Sequence, residues 1–148
     1  MVSEEEIREK LQNFHKAIAN RNVSEIMQFF VEDGSLTSNE GTFKGKEKIR
    51  GYWKWMRNQF SEVNLEEKDL LIQGNKAAHE YVLKGKASNG KNIELPGIAT
   101  VKFSNGKMEE LHIYHDRLTL AKQAVEGWLG KRTVKSLVGR MEKGLRKS

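Results

Sequence analysis

The sequence predicts an α+β fold in which helices come first and a sheet follows. Three observations carry that prediction. Apolar residues step by three and four along the first sixty positions. From residue 63 onward the period changes to two. Asn89-Gly90 and Asn105-Gly106 then fall between β-like runs, where Asn-Gly favours a tight hairpin turn because both central residues need positive φ. Helices and strands segregated in this way belong to α+β architectures. The 148 residues suffice for one domain with its own core.

Each element has a local reason. Ser3-Glu4-Glu5-Glu6 has the layout of a capping box, with Ser3 as N-cap. Ile7, Leu11, Phe14 and Ile18 then line one face of a first helix, which the polar run "ANRN" ends. Ile26, Met27, Phe29 and Phe30 predict a short second helix stopping at Asp33-Gly34, and "SLTSNEGTFKG" reads as a strand and loop. Ile49, Trp53, Met56 and Phe60 form the stripe of a third helix, with Trp55 off that stripe. Four β-like runs follow, "VNLEEKDLLIQ", "KAAHEYVLKGKA", "KNIELPGIATVKF" and "KMEELHIYHDRLTL", which predict an antiparallel meander with Pro96 at a bend.

Composition narrows the class. Apolar residues make up 37% and charged residues 31%, and no apolar run approaches the roughly 18 residues that cross a bilayer. There is no cysteine, so disulfides and thiolate metal sites are excluded. The acidic start "MVSEEEIREK" lacks a signal-peptide layout, and a cytoplasmic location is expected. Residues 131–148 hold seven Lys or Arg against one Glu, which accounts for the whole net charge of +6 and leaves the other 130 residues neutral. The reading divides the chain into a domain at 1–120 and a basic helical extension at 121–148. In the extension, Ala124, Val125, Trp128 and Leu129 precede Gly130. Val134, Leu137, Val138, Met141 and Leu145 then share a helical face. That helix is expected to dock on the sheet or on a partner subunit. A basic amphipathic helix also suits an anionic membrane or nucleic acid.

The last hairpin carries the candidate site. A two-residue turn at Asn105-Gly106 sets Phe103 opposite Met108, Val101 opposite Glu110, Ala99 opposite His112 and Gly97 opposite Tyr114, with Asp116 following on the same face. This face is apolar near the turn and then pairs small residues with polar ones, which is how a ligand cavity is lined. Lys102 is expected to meet Glu109 on the opposite, outer face. That outer face would also hold Leu111, Ile113, His115 and Ile98. On the preceding strand His79, Tyr81 and Leu83 form the more apolar set and are expected to face inward. A bulge near Leu95-Pro96-Gly97 would reconcile this with the turn.

These segments resemble a known family. "FHKAIANRNVSEIMQFFVEDGSLTS", "GTFKGKEKIRGYWKWM" and "LPGIATVKFSNGKMEELHIYHD" are together similar to the nuclear transport factor 2-like superfamily, and within it to the SnoaL-like polyketide cyclase branch, related to ketosteroid isomerases. The resemblance implies a cone, with a curved mixed sheet wrapped around helices, a pocket at the wide end and a homodimer through the convex face. It also implies an acid/base aspartate at Asp116 working without cofactor or metal. The chain departs from the isomerases, since Ser38 stands where their base aspartate would be and Phe14 and His15 where their oxyanion tyrosine would be. It likewise lacks an Arg-x-Asp of the epoxide-hydrolase type.

Two functions follow as expectations. One is a cofactor-free cyclase- or isomerase-type enzyme acting on a small apolar substrate. In it Asp116 and His112 are catalytic, Tyr114, His79 and Glu110 are polar partners, and Gly97, Ala99, Val101, Phe103 and Trp53 line the pocket. Such a carboxyl would have its pKa raised by an apolar surround. The alternative is a non-catalytic ligand-binding or dimeric scaffold domain whose basic helix contacts an acidic partner. A facial metal triad of His112, Asp116 and His79 matches the alternating spacing but is not adopted.

Overall fold

Ser3 closes the first helix as its sequence requires. The computed structural model describes residues 2–124 and 128–147. In it Ser3 Oγ accepts from the Glu6 amide and the Glu6 carboxylate accepts from the Ser3 amide, both at 3.2 Å. Helix α1 (Glu4–Ala19) buries Ile7, Leu11, Phe14 and Ala17. Helix α2 (Val23–Met27) is capped by Asn22, whose Oδ1 accepts from the Glu25 amide.

The second helix ends earlier than its apolar spacing suggests. Phe30 opens strand β1 (Phe30–Ser38), and Phe29 O accepts from the Met108 amide at 2.7 Å. The phenylalanines remain buried or half-buried in either conformation; partnership with the C-terminal strand decides for extended backbone. β1 folds back into β2 (Gly41–Lys44). Helix α3 (Lys46–Gln59) buries Ile49, Tyr52 and Trp53, and runs directly into β3 (Phe60–Gln73).

The expected meander follows as β3, β4 (Lys76–Ala87), β5 (Asn92–Ser104) and β6 (Lys107–His115). The strand order is β2-β1-β6-β5-β4-β3, with β1 parallel to β6 and every other pair antiparallel. Register shifts in the β1–β6, β3–β4 and β5–β6 pairings bend this mixed sheet around α1 and α3. At one bend β3 comes so close to β4 that a Cβ on Gly85 would lie 2.0 Å from the Glu62 carbonyl oxygen, so only glycine fits.

Two turns set which side chains face the helices. Ser104 pairs with Lys107 across Asn105 (φ 50°) and Gly106 (φ 77°), the two-residue turn the sequence predicts. Phe103 then opposes Met108, but Lys102 opposes Glu110. Glu109 is an extra residue on β6, and every position beyond it is moved by one. The other turn has three loop residues, Ser88, Asn89 and Gly90 (φ 86°), closed by the Ala87 amide on Lys91 O. That odd residue turns His79, Tyr81 and Leu83 inward, and β4 pairs with β5 without a break at Leu95-Pro96-Gly97. The expected inward set is therefore correct, and the bulge proposed to explain it is replaced by the longer turn.

After β6 the chain forms α4 (Arg117–Ala124), which lies along β5, and α5 (Trp128–Lys147), which packs against α4. Gly130 does not separate two helices; it lies within α5. On the expected apolar face Val138 is buried while Leu137 and Met141 are exposed. Val125 and the side chains of Val134 and Leu145 lie outside the described residues. Among the described residues, no helix is long and apolar enough to cross a membrane.

Candidate functional site

The Glu109 bulge exchanges the two faces of β6. Leu111 and Ile113 are buried, at 1% and 6% exposure, and His115 turns toward the interior with them. Glu110, His112 and Tyr114 face outward, with Tyr114 47% exposed. The expected catalytic role of His112 and the pocket roles of Tyr114 and Glu110 are therefore corrected. His79 and His112 lie on opposite faces, so the facial triad does not assemble either. The Lys102–Glu109 ion pair is present at 3.5 Å, because the bulged Glu109 still reaches across the hairpin.

Asp116 is corrected too. Its carboxylate is exposed and caps α4, with Oδ1 accepting from the Thr119 amide at 3.0 Å and Oδ2 from the Thr119 hydroxyl at 2.6 Å. These bonds, that from the hydroxyl foremost, hold its pKa below the ordinary carboxylate value, opposite to the shift an acid/base role in an apolar pocket requires. Asp116 is an N-cap, the common use of aspartate at a strand-to-helix junction.

The sheet and the helices nevertheless enclose a cavity of about 60 Å³. Its walls are Phe14, His15 and Ile18 from α1, Tyr52, Trp53 and Met56 from α3, and inward residues of β3 to β6. A neighbouring depression of about 200 Å³ adjoins it, lined by Asn39, Glu40 and Trp55 and sharing Tyr52, Met56, Phe60, Leu83 and His115 with the cavity. Of the expected lining residues, Trp53, Ala99 and His79 are present. Val101 and Phe103 are buried core instead, on the part of β5 nearer the Asn105-Gly106 turn, beside Leu111 and Met108. Gly97 acts from beneath: a Cβ there would lie 2.6 Å from His115 Cδ2 and 2.8 Å from Tyr81 Cζ. Its lack of a side chain gives those two rings their space.

Four rings run in series along this wall. His15 stacks on His79 at 4.6 Å between centroids and 20° between planes, and His79 stacks on Tyr81 at 5.1 Å and 25°. Tyr81 meets His115 edge-on, with Oη 2.8 Å from Nε2. Burial pushes the pKa of His15 down to about 4, helped by the neighbouring His79, and burial likewise lowers His79 and His115. All three imidazoles are neutral at pH 7. Burial raises Tyr52 and Tyr81, so both stay as phenols.

The cavity contains polar atoms with nothing to bind. His79 Nε2, Trp53 Nε1 and Arg21 Nε are buried and without a protein hydrogen-bond partner. His79 is 3% and Trp53 4% exposed. Such groups each cost about 1–3 kcal/mol when left unsatisfied, and two or three around one apolar hollow define a place for a ligand oxygen or for water.

Sequence reasoning missed His15 and assigned His115 to the outside. His15 stands four residues after Leu11, next to the apolar stripe, so helical periodicity carries a signal for it. His115 has none, because its direction depends on one bulged residue. Tyr52 and Arg21 also border the cavity, and neither stands out by local pattern.

Comparison with known proteins agrees with this architecture. The SnoaL-like domain profile matches residues 11–111. No curated protein sequence matches the chain. Among solved structures, an NTF2-like protein of unknown function from Burkholderia pseudomallei aligns with a TM-score of 0.74 at 14% identity, covering 82% of this chain and 98% of that one. A protein of ketosteroid isomerase-like fold from Catenulispora acidiphila, solved in complex with trimethylamine, gives 0.72 at 18%, over 78% and 92%. A candidate SnoaL-like polyketide cyclase from Shewanella denitrificans gives 0.69 at 16%, over 82% and 97%. At these identities the likeness is one of fold.

Proposed function

Since the chain belongs to the SnoaL-like domain family, whose NTF2-like fold often forms ligand pockets, we propose that it binds a small, mainly apolar molecule bearing a carbonyl or hydroxyl oxygen and moves a proton on it. One observation carries the reading: His79 Nε2 is buried, unpartnered and neutral, and it shares the cavity with the unpartnered indole N–H of Trp53. Trp53 Nε1 can only donate, so it suits a carbonyl oxygen or a developing enolate. His79 Nε2, in the tautomer protonated at Nδ1, accepts a proton from the carbon beside that carbonyl. The same imidazolium then returns the proton to another carbon, as in isomerisation, or to the oxygen formed by an aldol closure. Stacking between His15 and Tyr81 fixes the ring plane for both transfers.

This reading replaces the carboxylate expected at Asp116 with an imidazole. A second reading, ligand binding without catalysis, is favoured by the depression of every cavity histidine, which makes each a weak base. Exchange of α-protons of 2-tetralone in D₂O, followed by NMR, separates the two. Acid/base catalysis by His79 predicts enzyme-dependent exchange that drops at least 100-fold in His79→Phe. Binding that shifts the Trp53 indole signal with no exchange supports the second reading; absence of both rejects the cavity as a site. A homodimer belongs to the same proposal, supported by Ile98 and Tyr114, which pair with each other on the outer face and are half exposed. Sedimentation equilibrium tests it: a monomer at micromolar concentration would count against it.

A further inference from the structure

The cavity has a basic end. Helix α1 finishes in a Schellman motif, with the Arg21 amide donating to Ile18 O at 2.9 Å and the Asn22 amide to Ala17 O at 3.2 Å. Arg21 occupies the left-handed position of that motif, φ 56°, where glycine or asparagine is usual and other residues are strained. One guanidinium nitrogen, Nη2, donates to Arg57 O in the last turn of α3, at 3.0 Å. The buried Nε has no partner. Arg21 and Arg57 both line the cavity. They also line a second depression outside it, together with Arg50 and Lys54 and the polar Asn20, Asn22 and Ser24. Among the described residues no carboxylate lines that depression, though Arg50 lies 3.8 Å from Glu47 on its own helix. The opposite end of the hollow, by contrast, carries one carboxylate and one cation, Glu40 and Arg117.

We infer that the ligand of this cavity is an organic anion, a carboxylate on a flat apolar body, whose charged group lies at Arg21 and Arg57 while the body extends past Trp53 toward His79. The inference rests on the cavity being the binding site and adds the ligand's charge and direction. Arginine suits the task because its planar fork of donors matches two carboxylate oxygens. With Nη2 held on the helix carbonyl, Nε remains on the cavity side as a free donor. A neutral ligand would leave that donor unmet and would leave the cluster of Arg21, Lys54 and Arg57 without an anion of its own.

Matched probes test this: trans-cinnamate against cinnamamide, and benzoate against benzamide, titrated at pH 7 and low salt by calorimetry while the Trp53 indole N–H is followed by NMR. The carboxylate of each pair should bind at least tenfold more tightly than its amide and shift the Trp53 resonance. Arg21→Asn, which suits the left-handed turn, and Arg57→Gln should each reduce that preference to under threefold. Equal affinity within each pair, with the indole still shifting, overturns the anion and leaves the cavity as the site. A preference that survives both substitutions overturns it equally. So does acetate binding as well as cinnamate without moving Trp53, which would be attraction to the outer basic surface alone. Failure of all four aromatic probes to move Trp53 rejects the cavity reading, and this inference with it.

Discussion

The two faces of β6 differ in what a single residue does to them. Toward the helices stand Leu111, Ile113 and His115; toward the outside stand Glu110, His112 and Tyr114. The first triplet joins two aliphatic side chains to an imidazole and the second joins a carboxylate, an imidazole and a phenol, and by composition either could line a pocket. The bulge at Glu109 selects the first. The lesson is one of phase: in a strand, a slip of one position is the largest error available, because it exchanges every side chain between core and surface.

The most drastic way to break that comparison is to insert one alanine between Glu110 and Leu111. With Glu110 still opposite Lys102, every later residue of β6 moves by one, which turns His112 and Tyr114 inward and exposes Leu111 and Ile113. Lost burial of the two aliphatic side chains alone amounts to roughly 3–6 kcal/mol, a large share of typical domain stability. We expect no cooperative thermal transition, whereas deletion of Glu109, which leaves Glu110 opposite Lys102 and Leu111 opposite Val101, should keep one; an insertion variant melting like the parent would show that phase does not decide the two faces.

Next in size is a pair of truncations across the same strand. Leu111→Ala should destabilise by about 2–5 kcal/mol in urea denaturation, and Tyr114→Ala by no more than about 0.5 kcal/mol in the monomer. Comparable losses would mean that both faces are buried.

Acid sharpens the inward face. The cavity histidines have folded pKa values below their unfolded value of about 6.5, so the unfolded chain binds more protons between the two. Their contribution is complete above pH 6.5 and is lost as pH falls, for His15 down to about 4. The loss should total a few kcal/mol. His15→Phe should flatten the pH dependence of the urea midpoint across that window; an unchanged slope would show that His15 does not carry it.

Smaller again is Gly97→Ala, whose Cβ would press on His115 and Tyr81. It should cost about 1–3 kcal/mol and loosen the Tyr81–His115 hydrogen bond, visible as a moved His115 imidazole resonance. The smallest effect belongs to Asp116→Asn. Asparagine caps as well as aspartate, so stability should change by less than about 0.5 kcal/mol, with ligand binding and proton exchange intact. A collapse in exchange rate with binding preserved would return the chemistry to the carboxylate.

What the sequence determined by itself was local or periodic. The Ser3 capping box, the α1 stripe, the meander, the Asn105-Gly106 turn and the inward set His79, Tyr81 and Leu83 depend on neighbours a few positions away, where sterics and hydrogen bonding act directly. Only the tertiary structure decided the rest. Phe30 became strand because β6 needed a parallel partner. Glu109 became a bulge beside Gly34, whose Cα leaves a methyl group only about 3.4 Å from the Met108 and Glu109 carbonyls. Asp116 became a cap because a helix, not further strand, followed it. His15, the β4 pair His79 and Tyr81, and His115 lie far apart along the chain and share a wall only after the sheet has curved. Alternation along a strand specifies two faces but not which of them will meet the helices; that choice belongs to the packed whole.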